Sequence, residues 1–317
     1  MNRSHLRPWL VLSISLPYIF VALGTAVISQ AAHAQNTLVV DDDGHGTAAN
    51  CDAGVAAYSS IQAAVNAAAP GDTIFICPGT YNEQVVVTKN NLTIRGAGAG
   101  ATVLKPSVVV PNSTSLVTPI PVNVSPILLV AGATGVIVTN LTIDGSAHDA
   151  GAAIHNCGFI DQFYGIYYRN SSGRVDRVHV TKIRSATMCT FGIRSESGDG
   201  GTANLVYNAN LVDQYGDYGM SCGGLNTTCS ITGNTVRGQG PINDQIQRGI
   251  NIRTGPVAAI SGNVITDHYH LPMGGAMSAG IILVNADPAS NPHLLRDNIF
   301  ANNEINVQRF STKEVID

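Results

Sequence analysis

The residues best suited to chemistry in this sequence are carboxylates and guanidinium groups placed just before recurring glycines. Asp161, Asp217, Asp244 and Arg248 all stand at such positions. Two carboxylates sharing a surface could act as general acid and general base in glycoside hydrolysis. An aspartate paired with an arginine could instead bind calcium and abstract a proton beside a uronate carboxyl group. Asp217, Asp244 and Arg248 are therefore the catalytic candidates. Aligning the chain on the glycines puts Arg169, Glu196, Gly223, Arg253 and Val284 in one column. Tyr167, Arg169, Arg194, Glu196 and Arg253 follow as substrate-binding candidates. The competing reading is that all of these are solvated corner residues or local salt bridges, because spacing alone does not show convergence.

Arg169, Arg174, Arg177, Lys182, Arg184 and Arg194 form a basic run opposed only by Asp176. As a strip it would attract a uronate or another acidic glycan; the competing reading is a solvated face. Tyr164, Tyr167, Tyr168, Tyr215, Tyr218 and Tyr269 recur near the same corners, where they could stack on sugars or simply pack. His268 and His270 would flank one another on a strand, but no third metal ligand is in register. Asp41-Asp42-Asp43-Gly44 lacks the alternate-residue spacing of a calcium loop and reads as a turn.

The elements that must position these groups come from an internal repeat. A glycine followed by an apolar residue recurs at Gly165, Gly192, Gly219, Gly249 and Gly280, at intervals of 27, 27, 30 and 31 residues. Such spacing belongs to a solenoid. Each unit continues with a second short strand, as in Val175–Val180, Ile231–Val236, Ile260–Ile265 and Leu295–Phe300. The glycines are expected at the corners, where they would allow a positive φ. Asn234, Asn263 and Asn298 share one position and are expected to stack as a hydrogen-bonded ladder. Short strands without helical periodicity leave a parallel β-helix with an interior of Ile, Val and Leu. One helix is predicted from Ser59 or Ser60 to Ala69, closed by Pro70-Gly71 and covering the end of the core. Five prolines between residues 106 and 126 mark a long excursion from the coil.

Composition agrees. The chain has 317 residues, 33 of them glycine, with 12% charged and 44% hydrophobic. Low charge excludes a disordered polyelectrolyte, and 17 basic against 21 acidic residues excludes a nucleic-acid-binding field. Arg3, His5 and Arg7, an apolar run from Trp9 to Ile28, and Ala32-His33-Ala34 have the three parts of a secretory signal peptide. An uncleaved anchor is the alternative. Cleavage after Ala34 would leave a net charge of −6, no tryptophan and a secreted protein without a membrane segment. Cys51, Cys77, Cys157, Cys189, Cys222 and Cys229 would then form three disulfides. Pairing of sequence neighbours is the simplest of the 15 arrangements, and the sequence does not choose among them.

The stretch from Ile61-Gln62-Ala63-Ala64-Val65 through Pro70-Gly71-Asp72-Thr73-Ile74 to Pro78-Gly79-Thr80-Tyr81-Asn82-Glu83 resembles the pectin lyase-like superfamily. In particular it is similar to the N-terminal cap and first coil of pectin methylesterases. The resemblance implies a right-handed parallel β-helix, in which Gly79-x-Tyr81-x-Glu83 is a framework element. The esterases' catalytic aspartate and arginine motifs are absent, and so is the polygalacturonase set. Gly44-His45-Gly46 occurs, but ahead of the cap helix.

The sequence therefore reads as an all-β, right-handed parallel β-helix with a short N-terminal capping helix. A signal peptide spans 1–34 and the β-helix domain 35–317, with its cap in 35–80, its excursion in 106–126 and regular coils in 127–307. The expected function is binding or processing of an extracellular, acidic, pectin-like polysaccharide, by lyase or hydrolase chemistry if catalytic, at the cell surface, outside the cell or in the periplasm. The alternative is a non-catalytic surface module. Nothing calls for a cofactor, and calcium enters only under the lyase reading. The final coil lacks a cap, which leaves an edge for self-association.

Overall fold

The structure is a computed structural model and describes residues 34–148, 151–271, 277–284 and 294–310. The segment read from sequence as a signal peptide lies outside the described residues, apart from Ala34.

Each full coil gives one short strand to each of three sheets. The first sheet stacks, among others, Thr93–Gly96, Val136–Thr139, Ser172–Asp176, Ala203–Asn208, Thr227–Thr232 and Val257–Ser261. The second includes Thr142–Asp144, His179–Thr181, Leu211–Asp213, Thr235–Ile242 and Val264–His270. The third stacks Asn123–Ala131, Gln162–Arg169, Cys189–Glu196, Tyr218–Gly223, Arg248–Arg253 and Ala279–Val284. Neighbouring coils pair in parallel throughout these stacks. This is the right-handed parallel β-helix that the resemblance implied, consistent with the usual hand of parallel crossovers.

The segments read from sequence as single second strands are each broken by a corner. Arg177, Gly233, Gly262 and Asp297 adopt φ of 52°, 65°, 64° and 56° there, turning the chain from the first sheet to the second. The residue just beyond three of these corners is the ladder asparagine. Asn234 Nδ2 donates to Asn263 Oδ1 at 2.9 Å and to the Tyr207 carbonyl at 3.0 Å; Asn263 repeats the pattern with Asn298 and Ile231. Asn210 extends the ladder one coil further.

The repeated glycines, expected to turn the corners, instead lie inside or at the edge of the third-sheet strands and do not have positive φ. Their role is steric. A Cβ on Gly192 would stand 2.6 Å from the Gly219 carbonyl oxygen and 2.7 Å from Val212 Cγ1; Gly165, Gly219 and Gly249 meet the same obstruction. Gly192→Ala is expected to destabilise the fold by about 1–3 kcal/mol through overpacking. Urea unfolding measures this, and an unchanged midpoint would show that the stack has slack.

The helix spans Ile61–Ala67 and presents Ile61, Ala64 and Val65 to the first coils of the core. Ser60 caps it, accepting from Ala63 N at 3.3 Å. Glu83 accepts from Ile61 N at 2.7 Å and Gln62 N at 2.9 Å, which gives the Gly79-x-Tyr81-x-Glu83 stretch its framework role. The disulfides join Cys51–Cys77, Cys157–Cys189 and Cys222–Cys229. In the last coil Leu294 and Ile299 are exposed, as is Phe310 just beyond it. No helix among the described residues is long and apolar enough to cross a membrane.

Candidate functional site

Side chains alternate between the two faces of a strand, and in the third sheet both faces are buried over much of the length. Phe163, Ile166 and Tyr168 point into the solenoid, while Tyr164, Tyr167 and Phe191 form a separate cluster on the outer face. The register pairs Arg169 with Glu196, Glu196 with Gly223, Gly223 with Arg253 and Arg253 with Val284, which is the column read from the sequence.

Two excursions cover this outer face. The first runs through residues 106–122 and is fastened by Glu196, a carboxylate with no exposed surface. Glu196 accepts from Leu116 N at 2.7 Å, from Ser115 Oγ at 3.0 Å and from the Tyr167 hydroxyl at 2.8 Å, and pairs with Arg194 Nε. The Thr114 carbonyl accepts from the Tyr167 hydroxyl and from Arg169 Nε, each at 3.2 Å. The second excursion includes residues 151–161. It is tied down by the Cys157–Cys189 disulfide and by His155 Nδ1, 3.1 Å from Asp217 Oδ2. Asp217 is itself fixed by Thr190 N at 2.9 Å and Thr190 Oγ1 at 3.0 Å.

Between the excursions lies a cleft of about 400 Å³. Phe191, Arg194, Tyr218, Arg248 and Arg253 are among its lining, with Val117–Pro119 on one side and His155–Phe159 on the other. Phe191 and Tyr218 stack at 4.6 Å between ring centres. The Arg194 guanidinium lies 4.2 Å over Phe191, and that of Arg248 5.5 Å over Tyr218. Burial works against the charge of Arg194, but the adjacent Glu196 and Tyr164 outweigh it and raise its pKa. Burial, reinforced by Glu196, also raises the Tyr167 pKa well above the usual phenol value and keeps it a hydrogen-bond donor. Arg248 and Arg253 have no carboxylate in ion-pair distance among the described residues, and Arg248 Nε is buried without a hydrogen-bond partner among them. Among the described residues, no aspartate or glutamate lines the cleft. It is a cationic, aromatic-floored recess.

The structure thus gathers Arg194, Arg248 and Arg253 at one surface. Asp217 lies behind it, reaching the cleft only through His155. Glu196 and Tyr167 are consumed in fastening the excursion. Arg169 sits beyond the excursion, in a shallow hollow with Thr114 and Leu129. Asp244 is exposed on the turn before Gln245 and does not line the cleft. The basic run does not form one strip, because the coil distributes it over two sheets and the turns between strands. Arg174 and Arg177 pair with Asp176, Lys182 with Asp144, and Arg184 donates to Gln239. His268 is buried against the Tyr215 hydroxyl and Asn303, and burial pushes its pKa down to about 4. Sequence reasoning passed over His155, although Cys157 two residues away carried the signal. A disulfide from Cys157 to Cys189 brings this loop to the strand whose neighbour begins beside Asp217.

For a metal, the described residues offer two groupings, Asp41 with Cys51 and Cys77, and Asp217 with Cys157 and Cys189. Both cysteine pairs are disulfides, which leaves a single carboxylate in each, so neither suits calcium.

No family model matches the chain, and no curated protein matches it. Among solved structures, ORF18 of Geobacillus virus E2 is similar at 13% identity and a TM-score of 0.44, over 78% of this chain and 55% of that one. The chain therefore spans about half of that protein's length, 55%. Pectin methylesterase PemA from Erwinia chrysanthemi is similar at 12% identity and a TM-score of 0.38, over 84% of this chain and 94% of that one. An alginate lyase from Paenibacillus sp. str. FPU-7 is similar at 14% identity and a TM-score of 0.34, over 86% and 99% respectively. At these TM-scores the likenesses add nothing to the architecture that the three sheets define.

Proposed function

We propose that the cleft binds the carboxylate of an acidic sugar in an extracellular polysaccharide. The observation that carries this reading is the pair Arg248 and Arg253, two guanidinium groups without carboxylate partners among the described residues, at one recess with an aromatic floor. A planar carboxylate answers the guanidinium geometry, and the Phe191–Tyr218 stack offers a ring face to a sugar. The three disulfides support an oxidising compartment, in keeping with secretion.

Processing, rather than binding alone, is favoured by the His155–Asp217 pair. Hydrolysis by two carboxylates has no support in a cleft that no carboxylate lines among the described residues. Elimination fits better. The arginines neutralise the uronate carboxylate and His155 takes the proton from the adjacent C5. The freed electron pair forms the C4–C5 double bond as the C4–O4 bond breaks, and the leaving oxygen takes a proton from the Tyr218 hydroxyl or solvent. Positive charge comes from guanidinium groups in this scheme, and no step calls on calcium.

Titration calorimetry with short oligogalacturonates tests the binding reading. An Arg248→Ala/Arg253→Ala variant is expected to bind at least about tenfold more weakly, since one hydrogen bond to a charged group contributes about 1.5–3 kcal/mol. Neutral oligosaccharides of equal length are expected to bind poorly to the wild type. Equal affinity of variant and wild type would refute the assignment.

A further inference from the structure

We infer that the cleft recognises the end of a polysaccharide chain and not its interior. This inference rests on the acidic-sugar reading of the same site and adds the form of the substrate.

The geometry is that of a dead end. The first excursion is fastened near the last residues of the third-sheet strands, at Glu196 and Arg169. The second is fastened near their first residues, at Cys189 and Asp217. The two therefore approach over the sheet from opposite ends of its strands. They meet at Gly158 and Pro119, where a Cβ on Gly158 would stand 3.6 Å from Pro119 Cδ, ordinary contact distance. Beneath and behind that junction the outer face is closed. Tyr164 and Tyr167 have no exposed surface, Val124 has none and Leu129 only 3%.

A polysaccharide threading the face along the solenoid would have to cross these buried residues, and one lying along the strands would have to pass through both walls. The space left, about 400 Å³, is within the range of small-molecule sites. It can hold a terminal sugar with its carboxylate toward Arg248 and Arg253, the rest of the chain leaving toward solvent. Both fastenings are built from groups taken out of water, namely a buried carboxylate with its donors and a disulfide. The end-stop is thus part of the folded framework.

The test is calorimetric stoichiometry on the wild-type protein, using polygalacturonate fractions of decreasing mean length at equal uronate mass. His155→Asn protein serves if the wild type degrades the fractions. With end recognition, the amount of protein bound per gram rises in proportion to the number of chains, so halving the length doubles it. A constant ratio of protein to uronate, with several molecules on each long chain, would overturn the inference and leave the acidic-sugar reading intact. Absence of binding to every fraction would overturn both.

Discussion

His155→Asn is expected to retain affinity for acidic oligosaccharides while losing about 10²–10⁴ of the rate at which unsaturated uronate forms. Asp217 is the reason His155 is suited to the role. Its carboxylate is immobilised by Thr190 N and Oγ1 and lies 3.1 Å from His155 Nδ1. A fixed anion there favours the tautomer protonated on Nδ1, so the proton would go to Nε2, which is buried in this structure and has to be uncovered as the sugar enters. The disulfide at Cys157 holds the backbone two residues away, so the ring is positioned by a side-chain contact and a covalent tie. Asparagine retains a polar side chain of similar reach and cannot accept the C5 proton. Ultraviolet absorbance of the unsaturated product gives the rate, calorimetry gives the affinity, and thermal melting verifies the fold. A folded variant with undiminished turnover would remove His155 from the mechanism.

Glu196→Ala is expected to cost about 3–5 kcal/mol of stability, the usual penalty for breaking a buried ion pair from one side. Arg194 is only 3% exposed and would keep its charge without its counterion. Ser115 Oγ, Leu116 N and the Tyr167 hydroxyl would lose their shared acceptor in the same step. The damage is therefore also local, because these donors fasten the excursion that walls the cleft. Glu196→Gln retains the shape and some acceptor capacity and is expected to cost less, while still leaving Arg194 unpaired. Urea unfolding measures the stability, and limited proteolysis reports release of residues 106–122. A loss below about 1 kcal/mol, with the excursion still protected, would mean that Glu196 is not the anchor.

What the sequence made legible was the part of the molecule that repeats. The column from Arg169 to Val284 and the ladder from Asn234 to Asn298 both follow from a strand register that a fixed interval imposes. The cap helix was legible for a different reason, since its N-cap, apolar face and Pro-Gly stop are all local. The glycine role was misread because steric crowding between coils and a positive φ leave the same mark in a sequence, a glycine at each repeat. The fate of Glu196 was beyond spacing altogether. Its partners Ser115 and Leu116 lie about eighty residues earlier, in a segment with no periodicity. His155 was hidden for the same reason, in an irregular loop whose position depends on which cysteine partners Cys157. The basic run failed as a strip because residues close in sequence are turned onto different sheets within one coil.

The most direct measurement is a crystal structure of the His155→Asn protein with a short oligogalacturonate. The expected result is a terminal uronate in the cleft, its carboxylate within hydrogen-bonding distance of the Arg248 and Arg253 guanidinium groups and its ring against the Phe191–Tyr218 stack. An oligosaccharide bound on another face, or a cleft left empty at saturating concentration, would contradict the assignment.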